Sequence, residues 1–219
     1  MITINHASKL IGSQWVLRDI NLNLGRGKIY GFQGRNGSGK TMLFRAITGL
    51  ILLTEGSIEI DGKKVDAHYV PKKTGMLIEN PVFLDNLTGL DNLIMIAKMM
   101  EKVNITDLNY WLDRVGLSQA AKKVYRKYSL GMKQRLGIAS AMMGNPNLII
   151  LDEPTIALDD EGILMLYHLL QEEKNKGKLI LISSHEKEII EKLADELIFM
   201  KEGRIVSEYE LGNSLNQIF

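Results

Sequence analysis

Between Val16 and Leu24 the chain alternates. Val16, Ile20, Leu22 and Leu24 share one parity, while Asp19, Asn21 and Asn23 take the other. A period of two predicts a half-exposed strand. Lys28 to Gln33 predicts a second short strand running into a glycine-rich turn, and Thr41 to Leu50 a helix. Ser57 to Ile60 and Lys63 to Val65 flank Asp61-Gly62, a pair suited to a tight primed turn, and so predict a hairpin. From about Pro81 to Met143 the period changes. Leu90, Leu93, Ile94, Ala97 and Met100 recur at helical spacing, as do Leu108, Leu112 and Val115. Met95, Met99 and Met100 read as a core stripe, with an adaptable contact surface as the other reading. Strand-like apolar runs return at Leu148 to Leu151, Leu179 to Ile182 and Leu197 to Met200. Helical stretches, Glu161 to Lys174 and Glu186 to Leu193, lie between them. The expected fold is α/β, with a mostly parallel sheet, an N-terminal antiparallel β portion and a helical insertion. Its expected extent is one domain over 1–219, with a core at about 1–80 and 145–219 and the helical part at about 81–144. Ligands in such sheets sit at the carboxyl ends of the strands.

Composition narrows the functions available. The 27 basic and 26 acidic residues leave a net charge of +1, without the basic face that nucleic acid demands. The absence of cysteine excludes disulfides, thiolate zinc sites and cysteine nucleophiles. Met1 to Leu10 lacks a basic start followed by an apolar stretch, so no secretory signal is expected. No window approaches the roughly 20 apolar residues of a membrane span, so any membrane role is expected to come through a partner chain.

Candidate chemistry concentrates where apolar strands end. GRNGSGKT, residues 34 to 41, matches the P-loop pattern in full. Gly34, Gly37 and Gly39 allow a backbone that turns successive N–H groups inward, with Arg35, Asn36 and Ser38 on the same loop. Lys40 supplies a positive charge for β- and γ-phosphates, and the Thr41 hydroxyl can ligate magnesium. Met42 follows in the first turn of a helix whose positive end faces the phosphates. The apolar strand NLIILDEPT, residues 147 to 155, ends in two carboxylates. Asp152 is the candidate magnesium ligand, and Glu153 the candidate base for an attacking water. Ser183-Ser184-His185 ends another apolar strand, and an imidazole there can donate to a γ-phosphate oxygen.

Together these residues resemble the nucleotide-binding domain of ABC transporters, over essentially the whole chain. The motifs follow the family's order: P-loop, a Q-loop region at Leu77 to Pro81, a signature at Tyr128 to Met132, Asp152-Glu153, a D-loop at Ala157 to Asp159, and His185. Gln134 to Ala139 looks like the helix that follows the signature. The resemblance implies a P-loop NTPase core binding ATP with Mg2+, and the lack of an Asn-Lys-x-Asp motif favours ATP over GTP. It also implies a head-to-tail dimer with a second copy, Ser129 and Gly131 facing the partner's ATP, and separate transmembrane permease subunits. The chain is then cytoplasmic and peripheral on the inner face of the membrane. The usual Leu-Ser-Gly-Gly-Gln is here Tyr128-Ser129-Leu130-Gly131-Met132, and Glu79 replaces the Q-loop Gln as a candidate metal ligand. Ile11 falls where an adenine-stacking aromatic is usual, with Trp15 as a possible substitute or simply an exposed strand residue. Ile156 stands where the D-loop often has Ser. Glu79 with the SLGMKQRLGIA run resembles the subgroup serving bacitracin resistance and lantibiotic self-immunity, which implies an exporter motor. A soluble ABC-type ATPase not coupled to transport, and a regulatory module without turnover, are the competing readings.

Overall fold

The computed structural model describes residues 1–79, 81–100 and 103–208. Asn80 of the expected Q-loop and positions 209–219 of the expected core lie outside the described residues. In chain order the elements begin with strands β1 (Ile2–Ile11), β2 (Gln14–Leu24) and β3 (Lys28–Gln33), then helix α1 (Lys40–Ile47). Strands β4 (Glu55–Ile60), β5 (Lys63–Lys64) and β6 (Thr74–Leu77) follow, then helices α2 (Gly89–Ala97), α3 (Ile105–Arg114) and α4 (Leu130–Met142). Next come β7 (Leu148–Leu151), α5 (Asp160–Asn175), β8 (Leu179–Ser184) and α6 (Lys187–Leu193), and finally β9 (Glu196–Lys201) and β10 (Arg204–Val206).

The chain divides into two compact units, one holding Met1–Lys72 with the described residues from Leu179 onward, the other Lys73–Lys178. In the first unit, β2, β1, β4 and β5 form an antiparallel sheet in that order. Strand β3 pairs in parallel with β8, from Lys28↔Leu179 to Gln33↔Ser184, and with β9, from Tyr30↔Glu196 to Gln33↔Phe199. Every residue of β3 after Lys28 is buried, as is the whole of β8. A strand covered on both faces reads as a continuous apolar run, which is why these segments show no alternation. Phe32 of β3 and Phe44 of α1 meet edge to face, with centroids 5.1 Å apart, anchoring α1 on the sheet. That helix stops short of the expected Leu50. Thr48 folds its hydroxyl back to the Phe44 carbonyl at 2.9 Å, and Gly49 turns to φ 76°.

Strand β2 departs from its expected parity. Leu17 is buried and Val16 only half-buried, whereas Ile20 and Leu24 are buried as expected. The cause is backbone. Asp19 takes φ 51° and His6 in β1 takes φ 48°, and the β1–β2 register shifts between Ala7 and Lys9. A bulge moves the side chains on either side of it to opposite faces. His6 Nδ1 and Asp19 Oδ1 pair at 2.7 Å over the distortion.

In the second unit β6 and β7 pair in parallel, from Thr74↔Leu148 to Leu77↔Leu151, among helices α2 to α5. Helix α2 is capped by Thr88, whose hydroxyl accepts the Asp91 N–H at 3.0 Å, and α3 opens with an Asn104–Asp107 capping box. Arg114 on α3 forks onto Glu172 on α5 at 2.9 and 2.6 Å. The bidentate geometry fixes these two helices in register. The core-stripe reading fails for Met95 and Met99, which are 39% and 85% exposed. They lie on the side of α2, and just beyond its end, that the packing of Leu93 and Ala97 leaves outward.

Candidate functional site

The first unit holds the phosphate-loop candidates. Strand β3 delivers the chain to Gly34, and α1 begins at Lys40 with Gly39 as its cap at φ 108°. Gly34 has no room for a side chain. A Cβ there would stand 2.4 Å from the Met200 carbonyl oxygen and 2.5 Å from Ser38 Oγ. The turn closes through Ser38 N–H to Arg35 O at 3.0 Å, and the Ser38 carbonyl accepts the Gly203 N–H at 2.9 Å. Arg35, Asn36 and Gly37 form an exposed crest, while Ser38, Gly39 and Lys40 are buried behind it. Lys40 is 5% exposed, and its ammonium donates to Gly34 O at 2.6 Å. A cation folded onto its own loop's carbonyls can chemically exchange those oxygens for the oxygens of an anion. Ser38 Oγ and Gln33 Oε1 are buried without a hydrogen-bond partner. Orphan polar atoms at a loop of this shape fit a polyphosphate ligand. Thr41 and Met42 occupy the first turn of α1, half-buried.

The same unit places His185 and Trp15. The Gln33↔Ser184 register sets the ends of β3 and β8 side by side, so Gly34 and His185 leave adjacent strands. His185 is exposed, and Ser184 Oγ accepts the Glu186 N–H at 3.0 Å, shaping the turn around it. Trp15 is half-buried in β2. The next residue, Val16, turns its carbonyl toward the loop, 3.0 Å from where a Gly39 Cβ would be. Strand β2 is therefore a wall of the phosphate loop, a neighbour that no local motif announced.

The second unit holds the carboxylates and the signature. Leu77 and Leu151 pair, and the Asp152 N–H donates to Leu77 O at 2.7 Å. Glu79 and Glu153 each lie two residues past that pair. Both adopt left-handed backbone, φ 60° and 50°. Such conformations in non-glycine residues cost of order 1–3 kcal/mol and persist only where the surroundings enforce them. Asp152 is 4% exposed, Glu153 half-buried and Glu79 exposed. Among the described residues no three histidine, aspartate or glutamate side chains gather as a protein-only metal cage.

Ser129 caps α4, its Oγ accepting the Met132 N–H at 3.2 Å, and it is exposed. Gly131 packs on the D-loop, since a Cβ there would meet Ala157 O at 2.7 Å. Two further side chains of α4 tie the same region together. Gln134 Nε2 donates to the Glu153 carbonyl at 3.3 Å, and Arg135 Nη2 to Asp159 Oδ1 at 3.0 Å. Asp159 also caps α5 by accepting the Gly162 N–H at 2.9 Å. That hydrogen bond first, and the Arg135 charge after it, hold the Asp159 carboxyl below its ordinary value of 3.8. Gln134 and Arg135 were invisible as individual contributors. Their sequence signal is membership of the 134–139 run and position on the first two turns after the Ser129 cap.

Comparison with known proteins settles the family. A model described as ABC transporter matches residues 17–156. The chain belongs to the ABC transporter family. It is 38% identical to the lantibiotic transport ATP-binding protein SrtF of Streptococcus pyogenes, over all of this chain and 96% of that one. It is 41% identical to the bacitracin transport ATP-binding protein BcrA of Enterococcus faecalis, over 96% of this chain and 70% of that one. Among solved structures, the dimeric bacterial ABC transporter cassette MJ0796 superposes with a TM-score of 0.86 at 25% identity, covering 94% of this chain and 97% of that one. The ABC protein described here is thus an ATP-binding, ATP-hydrolysing subunit built on the P-loop α/β fold. No helix among its described residues is long and apolar enough to cross a membrane.

Proposed function

We propose that this ABC subunit is the ATP-driven motor of an exporter for antibacterial peptides of the bacitracin or lantibiotic kind. It works as a head-to-tail pair of copies on separate permease subunits, at the cytoplasmic face of the membrane. The observation that carries the motor reading is the exposed Ser129 cap at the start of α4. It offers a hydroxyl and a helix N-terminus to an anion. A chain with one phosphate loop and one such signature completes a pair of sites when two copies exchange signatures. The peptide class rests on the names of SrtF and BcrA.

In this reading the crest Arg35–Gly37 and Gly39 present N–H groups to the β- and γ-phosphates, Ser38 adds its buried hydroxyl, and Lys40 neutralises their charge. Thr41, Asp152 and Glu79 would be the oxygen donors that hold Mg2+. The ion supplies charge neutralisation and orients the phosphates when bound. Glu153 takes the proton of the attacking water, and His185 donates to the γ-phosphate. Trp15 is proposed as the adenine platform, supported by the approach of Val16 to Gly39.

Glu153→Gln tests the assignment. Removing the base should lower turnover by about 10²–10⁴-fold while ATP binding persists, and a stable ATP-bound dimer should appear in light scattering. Retained turnover, or a monomer at saturating ATP, would count against it. Gentle detergent extraction of the tagged chain should bring down a multi-spanning partner. Recovery with soluble proteins alone would favour the uncoupled ATPase instead.

A further inference from the structure

Glu153 holds a backbone conformation that its own side chain does not favour, and its carbonyl oxygen shows what keeps it there. That oxygen accepts two donors. Ile156 N–H comes from the D-loop turn at 3.3 Å, and Gln134 Nε2 from α4 at 3.3 Å. A carbonyl has two lone pairs, so both are engaged and the peptide plane is pinned. Gln134 is 5% exposed, so its amide has little water to turn to instead. The helix carrying it is capped by Ser129, and is fastened to the turn following Glu153 by Gly131 against Ala157 O and Arg135 on Asp159.

We infer that Gln134 is a positioning residue for Glu153. It makes the geometry of the carboxylate in one nucleotide site depend on the seating of the signature helix in the other. This rests on the two-copy reading above, in which one chain gives Glu153 to its own ATP and Ser129 to its partner's. A shift of α4 when Ser129 engages a phosphate moves Gln134, and Gln134 moves the Glu153 peptide. Displacing a reacting group by an ångström costs about 10²-fold in rate, so a small shift of the helix is enough to gate hydrolysis. The same linkage makes turnover at the paired sites interdependent.

The experiment uses the full chain, with ATP as the probe. Gln134→Met keeps the length of the side chain and removes the donor. The expected result is a fall in kcat of about tenfold, an ATP KM within about twofold of the parent, and loss of steepness in the dependence of rate on ATP. The midpoint of thermal unfolding should move by only a few degrees. Gln134→Glu, which sets an acceptor against the Glu153 carbonyl, should lose more activity than Gln134→Met. If Gln134→Met does not fold, Gln134→Asn keeps the amide but stops one methylene short, and carries the same test. Unchanged kcat and steepness in a folded variant would overturn the inference, as would a fall in kcat that matches the fraction unfolded. An inactive parent chain would overturn the hydrolytic reading itself, which keeps the two failures apart.

Discussion

In the proposed site the phosphate loop and the signature would both present backbone to an anion, yet one matches its expected pattern in full and the other keeps only part of it. The structure shows why the two tolerate change so differently. In the phosphate loop the obligations are steric and continuous. Gly34 is closed in by Met200 O and Ser38 Oγ, Gly39 by Val16 O, and Gly37 and Gly39 take φ 81° and 108°. In the signature the proposed role falls to a helix N-terminus, and a helix end needs a cap rather than particular neighbours. Ser129 supplies the cap. Gly131 survives because Ala157 O fills the space of its side chain, whereas Leu130 beside it is 62% exposed and has no such constraint. The residues that match the pattern are those with a cap to provide or no space to grow.

The comparison breaks most sharply at Gly34. Gly34→Ala forces a Cβ against a backbone oxygen that cannot rotate away. Overpacking of that sort costs about 1–3 kcal/mol, and here it also opens the loop that arranges the N–H groups. Nucleotide affinity measured by titration calorimetry should fall by at least about tenfold, well beyond what the stability loss explains. Near-normal ATP affinity would show that the loop can relax and that its tightness is incidental.

A smaller effect is expected at Gly131. Gly131→Ala pushes the D-loop away from α4, because the contact at Ala157 is again a carbonyl. ATP binding to the single chain should stay the same, while turnover drops by about tenfold through misplacement. Parallel measurements of binding and steady-state rate would separate these. An equal loss in both would place Gly131 with Gly34 and erase the distinction between the two regions.

What the sequence made legible follows the same division. The phosphate loop was readable because its requirements are local. A buried strand, a fixed glycine spacing and a helix start all lie within Lys28 to Ile47, and only the stop at Thr48 was missed. The Asp61-Gly62 turn was readable for the same reason, with both residues at positive φ, 50° and 77°. Strand β1 was not, because the left-handed turn at His6 breaks its alternation into pieces too short to show a period. Short β6 and β10 carry too few residues to reveal any. At the site, the candidate side chains could be named from their motifs. The wall that β2 makes at Gly39 and the grip of Gln134 on Glu153 could not, since they join residues 23 and 19 positions apart through backbone carbonyls of any residue type.

The mildest expected change sharpens the comparison from the other side. Leu130→Gly restores the glycine of the usual signature at the first residue of α4. The exposed leucine gives up little packing, and glycine inside a helix costs roughly 0.5–1 kcal/mol, so the unfolding midpoint should fall by only a few degrees. ATP turnover should stay within about twofold, because surface substitutions away from packed or capped positions are nearly neutral. The Ser129 cap and the Gly131 seat, to which the proposed role of this end of the helix is assigned, are untouched. A turnover change of tenfold or more in either direction would mean that Leu130 itself meets the partner copy or its nucleotide. The tolerance of the signature would then reflect a replacement contact rather than an absence of constraint.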